Sequence, residues 1–226
     1  MDAPDSPLNR RGLLIVSLPR NDSALARAAV DGGADLLKVH VNVRHQASGT
    51  VFGSLREEMD RLDAILAVGK PTGLVPGEEE MVTQEEVPLL HRFAFIDAYL
   101  THLPLYLYAA GVPVIPAIPH DYPPEALPFL RRLPGEWAEA ALVPPDGYGR
   151  PPVAGDLVAL ERVGDLSGRR LIVPTQRRIH PDDLGRYFEL PAVWAVMIGA
   201  IVTGVGAAGI EKTTRAFRQG LGALFG

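Results

Sequence analysis

Residues 170–203 read RLIVPTQRRIHPDDLGRYFELPAVWAVMIGAIVT, and this stretch decides the fold. A short apolar run over Arg170–Gln176 is typical of a buried strand. Pro181–Leu190 follows as a helix, and a second apolar run over Trp194–Thr203 predicts another strand. Two buried strands joined by a helix indicate parallel pairing, because parallel strands need a crossover connection of this kind.

The same strand–helix unit recurs eight times along the 226 residues. Such alternation predicts a single-domain α/β protein, a (β/α)₈ or TIM barrel over residues 13–226 with an N-terminal tail over 1–12. A doubly wound open sheet is the alternative. The other predicted strands are Leu13–Leu18, Asp35–Asn42, Pro71–Gly77, Ala94–Thr101, Val112–Ile118 and Ala138–Val143. The other predicted helices are Ser23–Asp31, Leu55–Val68, Thr83–His91, Leu103–Ala110, Pro123–Arg132, Asp156–Val163 and Ile210–Leu224.

The composition argues against several classes of partner and site. The net charge of −5 argues against a nucleic-acid partner or an acidic membrane surface. The chain has no cysteine, which excludes disulfides, thiolate nucleophiles and cysteine-bound metals. The apolar run Ala192–Ile210 contains four glycines in its second half, so we interpret it as a strand and a turn and expect no membrane segment. Residues 1–12 lack a signal-peptide core, and we expect a cytoplasmic location.

Gly204, Gly206 and Gly209 form a literal G-x-G-x-x-G after the last strand. A dinucleotide site also needs a further strand and an acidic residue about 20 positions on, and only 17 residues follow Gly209. We therefore expect no nicotinamide cofactor. Barrels commonly bind phosphate after strands seven and eight, so this segment is either a phosphate cradle or a turn with packing glycines. Arg178 is either a phosphate clamp or the partner of Asp182 or Asp183.

The second strand carries polar residues at alternate positions, Lys38, His40 and Asn42. With period 2 they share one face, which we expect to point into the barrel. A buried lysine needs a partner, and desolvation would lower its pKa enough for a base or imine former. The alternative is a structural pair between Lys38 and Asp97 of the fourth strand.

Histidines supply the other candidates for acid–base chemistry. His40 and His102 are either acid–base groups or polar residues with structural partners. The spacing of the histidines matches no metal-binding motif, and we expect no metal.

Several stretches resemble N-acetylmannosamine-6-phosphate 2-epimerase, a ribulose-phosphate-binding barrel. Gln176–Pro181 (QRRIHP) is similar to the family's Glu-Gly-Arg-Ile-His-Thr-Pro, and WAVMIGAIVT from Trp194 is similar to its YAVVVGGAIT strand. IEKTTRAFRQGL from Ile210 resembles its last helix, and Asp146–Gly149 (DGYG) its Ser-Gly-Tyr-Thr. The resemblance implies a phosphorylated substrate, bacterial-type carbohydrate metabolism and a phosphate site. With the barrel, it leads us to expect phosphate binding by Arg178, Gly199, Ala200, Thr203 and Gly204.

The chain differs from that family at the positions of the family's catalytic residues. The family's strand-three lysine has no counterpart here, and its glutamate position is Gln176, which cannot act as a general base. We therefore predict an isomerase, epimerase or aldol-type lyase acting on a small phosphorylated sugar or keto compound. Lys38 would be base or imine former, Asp97 would orient substrate and Gln176 would hydrogen-bond it. The alternative is a diverged barrel that binds a phosphorylated metabolite without turnover. Leu103–Ala110 (LPLYLYAA) is either a homodimer interface or an ordinary barrel helix.

Overall fold

Eight parallel strands close into a barrel in chain order, with β8 paired to β1. The computed structural model describes residues 7–226. This closed sheet confirms the predicted single-domain (β/α)₈ barrel and excludes the open sheet. The strands are β1 Leu13–Ser17, β2 Leu36–His40, β3 Thr72–Val75, β4 Phe95–Tyr99, β5 Val114–Pro119, β6 Trp137–Ala141, β7 Arg170–Pro174 and β8 Val193–Ile198.

The helical layer differs from the prediction on one side of the barrel. The connections after β3, β4 and β5 are 3₁₀ segments, Gln84–Arg92, Leu105–Ala109 and Pro124–Arg132, where α-helices were predicted. Pro88 and Pro128 lie inside the two longer ones, and an internal proline removes a hydrogen bond that an α-helix needs. The α-helices are α1 Ser23–Asp31, α2 Leu55–Leu66, α3 Ala154–Ser167, α4 Leu184–Phe188, α5 Ala200–Thr203 and α6 Ala207–Phe225.

The apolar run after α4 contains two elements instead of the single predicted strand. β8 ends at Ile198, and α5 begins at Ala200, where the Gly199 carbonyl accepts hydrogen bonds from the amides of Val202 and Thr203. An apolar run alone does not distinguish these two structures, which explains the wrong boundary. Within residues 7–226, no helix is long and apolar enough to cross a membrane.

Two apolar cores separate the faces of the sheet. Outward residues such as Leu37 and Val39 pack under the helices, whereas Ile15, Phe95 and Trp137 fill the barrel interior. Leu8, from the part of the predicted tail that the structure describes, is buried in this inner core; residues 1–6 of that tail lie outside the described residues.

Gly73 on β3 leaves room for the Phe95 ring, because a Cβ there would overlap the ring. The inner core includes the first residues of four strands, Leu13, Leu36, Phe95 and Trp137, and so fills the end of the barrel at which the strands begin.

Candidate functional site

A cavity of about 170 Å³ opens at the carboxyl ends of the strands. Its floor is charged, with Lys38 from β2, Asp97 from β4 and Glu139 from β6. Alternate strands of a barrel supply side chains to one layer, so these three residues meet across the barrel centre. Active sites of such barrels lie at this end.

Lys38 bridges the two carboxyl groups. Its Nζ donates to Asp97 Oδ2 at 2.8 Å and to Glu139 Oε2 at 2.6 Å. The exposed fractions are 6% for Lys38, 1% for Asp97 and 7% for Glu139. Asp97 pairs with Lys38 as predicted. Glu139 is a second carboxyl partner, which the sequence did not lead us to expect.

The electrostatics of this cluster correct the expected state of Lys38. Burial lowers the pKa of Lys38, but the attraction of Asp97 and Glu139 outweighs it and the pKa lies above the ordinary lysine value. Lys38 is therefore an ammonium ion at neutral pH, where the sequence analysis expected desolvation to make it a base.

The two carboxyl groups of the cluster differ in their affinity for protons. Burial and the charge of Glu139 hold the pKa of Asp97 well above its ordinary value. Burial also acts on Glu139, but the charge of Lys38 lowers its pKa overall. The floor thus combines a cation, an ionised carboxylate and a carboxyl group that retains its proton more readily, which is an arrangement suited to proton transfer.

Glu139 was missed by the sequence analysis, although the strand carried a signal. It is the charged residue in the middle of the buried strand WAEAA, Trp137–Ala141. A charge at that place needs a partner, as it did for Lys38 and Asp97. A charge in the middle of a buried strand therefore marks Glu139 as a candidate site residue.

His40 lies two residues beyond Lys38 on the same face of β2, as predicted, and lines the cavity. Its Nε2 is 3.5 Å from Ser17 Oγ, and its buried Nδ1 has no hydrogen-bond partner within residues 7–226. Burial, together with the charges of His45 and Lys38, holds its pKa well below the ordinary histidine value. Asn42 does not continue this face. It lies beyond the end of β2 with φ of 53° and donates to the Pro76 carbonyl.

Gln176 also lines the cavity, and both ends of its amide are engaged. Its Nε2 donates to Tyr148 Oη at 2.7 Å, and its Oε1 accepts from the Val143 amide at 3.0 Å. These bonds fix the position of Tyr148 at the cavity wall. Gln176 therefore orients a phenol at the cavity wall, and its hydrogen bond to a substrate stays a prediction.

Four of the five predicted phosphate residues lie together after β8, whereas Arg178 follows β7, and only Gly199 lines the cavity. Its amide donates to Thr175 Oγ1 at 3.1 Å. Thr203 is buried and donates to the Gly204 carbonyl, and Gly204 has φ of 67°. Ala200 opens α5, and because the Gly199 carbonyl accepts from the amides of Val202 and Thr203, only the amides of Ala200 and Ile201 have no carbonyl partner within the helix.

Two predicted residues lie apart from the cavity. His102 and Arg178 are exposed and are not among its lining residues. Arg178 makes no ion pair with Asp182, Asp183 or any other carboxylate in the described part of the chain. The neighbouring Arg177 instead binds Asp156 through two nitrogens and donates to the Gly147 carbonyl.

No group of three or more histidine, aspartate or glutamate side chains within residues 7–226 is arranged to hold a metal ion.

Comparison with known proteins gives structural likeness only. No protein-family model matches the chain, and no curated protein matches it. Phosphoribosyl anthranilate isomerase from Thermus thermophilus is 19% identical, with a TM-score of 0.61 over 94% of this chain and 99% of that chain. Tryptophan synthase from M. tuberculosis is 15% identical, with a TM-score of 0.68 over 96% and 94%. KGPDC from Streptococcus mutans is 16% identical, with a TM-score of 0.66 over 94% and 98%.

At these identities the likeness shows the (β/α)₈ fold, and it does not single out the epimerase that the sequence resembles.

Proposed function

We propose that this protein is an isomerase or epimerase that moves a proton at the carbon beside a carbonyl group in a small phosphorylated sugar or keto compound. The observation that carries the proposal is the Lys38–Asp97–Glu139 cluster on the cavity floor. Ionised Glu139 takes the proton, and the Lys38 ammonium stabilises the negative charge that develops on the carbonyl oxygen. Asp97 returns a proton to the product.

The state of Lys38 favours proton transfer over the aldol-type lyase. An imine needs a neutral amine, and the two carboxyl groups keep Lys38 charged. The neutral amine that must attack the carbonyl would also leave two almost fully buried carboxyl groups without their cation, which is costly.

The proposed binding site for the substrate phosphate lies at α5 and the residues next to it. Gly199 and Ile201 line the cavity wall, and the amides of Ala200 and Ile201, which no carbonyl of α5 accepts, are donors of the kind that bind phosphate in barrels. The structural neighbours support the substrate class, because one of them is a phosphoribosyl anthranilate isomerase. The resemblance to a ribulose-phosphate-binding barrel points the same way.

Solvent-deuterium exchange tests this function. The protein is incubated in D₂O with a panel of hexosamine, pentose and keto-acid phosphates, and proton NMR follows the C–H beside each carbonyl group. We expect exchange in at least one compound, and Glu139→Gln should reduce it at least about 100-fold because the base is lost. Glu161→Gln, at an exposed glutamate of α3, is the matched control. A panel with no exchange contradicts the proposal.

A second candidate is binding of a phosphorylated metabolite without turnover. It is favoured by Gln176, which replaces the glutamate of the similar family and whose amide already has two partners. In that case a panel compound would raise the melting temperature while its C–H signals stayed intact.

A further inference from the structure

His45 lies in the loop between β2 and α2, and it lines the cavity beside the charged floor. Its ring is 4.5 Å from the His40 ring, centroid to centroid, and 6.3 Å from Phe52 in an edge-on contact. No sequence motif marks this histidine. Its position over the floor makes it a candidate for contact with the reacting part of a substrate.

The loop that carries His45 is a hairpin with its own hydrogen bonds. The His45 amide donates to the Thr50 carbonyl at 2.8 Å, and the Phe52 amide donates to the Val43 carbonyl at 2.9 Å. Gly49 has φ of 71°, the left-handed conformation that glycine adopts without strain. The imidazole is therefore held by ordered backbone.

Ser48 determines which nitrogen of His45 is available. His45 Nδ1 and Ser48 Oγ are 2.8 Å apart, and Ser48 Oγ also accepts the Thr50 amide at 3.3 Å. The serine hydroxyl can donate its proton to Nδ1 while its oxygen accepts the Thr50 amide, and this pairing corresponds to the neutral tautomer with the proton on Nε2. Nε2 has no hydrogen-bond partner within residues 7–226.

The surroundings of His45 keep the ring neutral. Burial and the charge of Lys38, opposed by the charge of Glu139, lower the pKa of His45 to about 4. His40, the other titratable ring packed against it, has a depressed pKa as well. A neutral imidazole N–H beside the Lys38 ammonium is a hydrogen-bond donor that can stabilise negative charge developing at the cavity floor.

We propose that His45 is a further catalytic residue, whose Nε2–H donates a hydrogen bond to the substrate oxygen that becomes negative during proton abstraction. The inference rests on the proposed function. His45 keeps its proton throughout: the substrate C–H proton goes to Glu139, the electron pair of that bond moves into the enediolate, and Lys38 and His45 share the charge on its oxygen.

Two measurements test this role. Long-range proton–nitrogen spectra of the substrate-free protein at pH 7 should show His45 neutral and protonated on Nε2, and Ser48→Ala should mix the two tautomers. A protonated Nδ1 or a cationic ring in the wild type overturns the proposal.

The second measurement uses the compound that shows deuterium exchange. His45→Phe preserves the ring contacts and removes the donor, and we expect the maximal exchange rate to fall on the order of 100-fold, with KM changed less than about threefold. His91→Phe, at an exposed histidine, should match the wild type. Exchange by His45→Phe within threefold of the wild type, with Glu139→Gln inactive, overturns the role of His45 and leaves the proposed function intact. A wild type without exchange overturns both.

Discussion

Replacing Lys38 by methionine tests the charge balance of the cavity floor. The change leaves Asp97 and Glu139 buried without their cation. Removing one partner of a buried ion pair costs about 3–5 kcal/mol, so we expect the free energy of unfolding to fall by about that amount at pH 8. Lys212→Met, at an exposed lysine of α6, is the matched control and should be neutral.

The pH dependence of this loss gives a sharper test. Without Lys38, burial and mutual repulsion raise both folded-state carboxyl pKa values above the unfolded values, so the folded state binds more protons. Stability then rises as the pH falls, by at most about 1.4 kcal/mol per pH unit for one extra proton, or about 3 kcal/mol between pH 8 and pH 5.5.

Urea unfolding at both pH values measures this dependence. The double variant Lys38→Met/Glu139→Gln lacks one of the two charges and should be less pH-dependent. Both proteins carry His45→Phe, because the charge of Glu139 also acts on the pKa of His45. Equal pH dependence of the single and double variants would refute the reasoning.

Three further predictions concern the free energy of unfolding. Gly73→Ala should lower the free energy of unfolding by about 1–3 kcal/mol in a urea melt, because its Cβ overlaps Phe95, and Phe95→Leu in the same chain should recover part of the loss. Arg169→Met should lower the free energy of unfolding by about 2–4 kcal/mol in the same assay, because the buried guanidinium donates to the carbonyls of Leu130, Leu133 and Pro134. The control Arg178→Met, at an exposed arginine, should change the free energy of unfolding by no more than about 0.5 kcal/mol. His45 should contribute a loss of stability as the pH falls from about 6.5 toward 4, because the unfolded chain protonates this histidine and the folded chain does not; a change in the pH dependence of urea unfolding in His45→Phe, by the removal of that loss, checks this, and an unchanged pH dependence contradicts it.

The sequence predicts the barrel well because the signal repeats. Eight apolar runs separated by helical patterns leave few topologies, and β1–β8 all lie within or close to the predicted strands. The predicted α-helices after β3 and β5 were wrong where Pro88 and Pro128 interrupt them. Propensity and periodicity describe the apolar face, but hydrogen bonding at the prolines decides the helix type.

The site was partly predictable. Alternation along β2 placed Lys38 and His40 inside the barrel, and Asp97 is the partner expected for Lys38. The protonation state of Lys38 was not predictable, because it depends on Glu139, which is 101 residues away in sequence and adjacent in space. His45 is marked by its contacts with His40 and Ser48, which the sequence alone does not reveal.

The central claim is that a cation, an ionised glutamate and a proton-retaining aspartate share the cavity floor. Carboxyl-carbon NMR titration of the wild type, with Asp97→Asn and Glu139→Gln for assignment, measures this directly. We expect the Asp97 signal to titrate well above the ordinary aspartate pKa of about 3.9, and the Glu139 signal to titrate below the ordinary glutamate value. Ordinary pKa values for both groups would contradict the account.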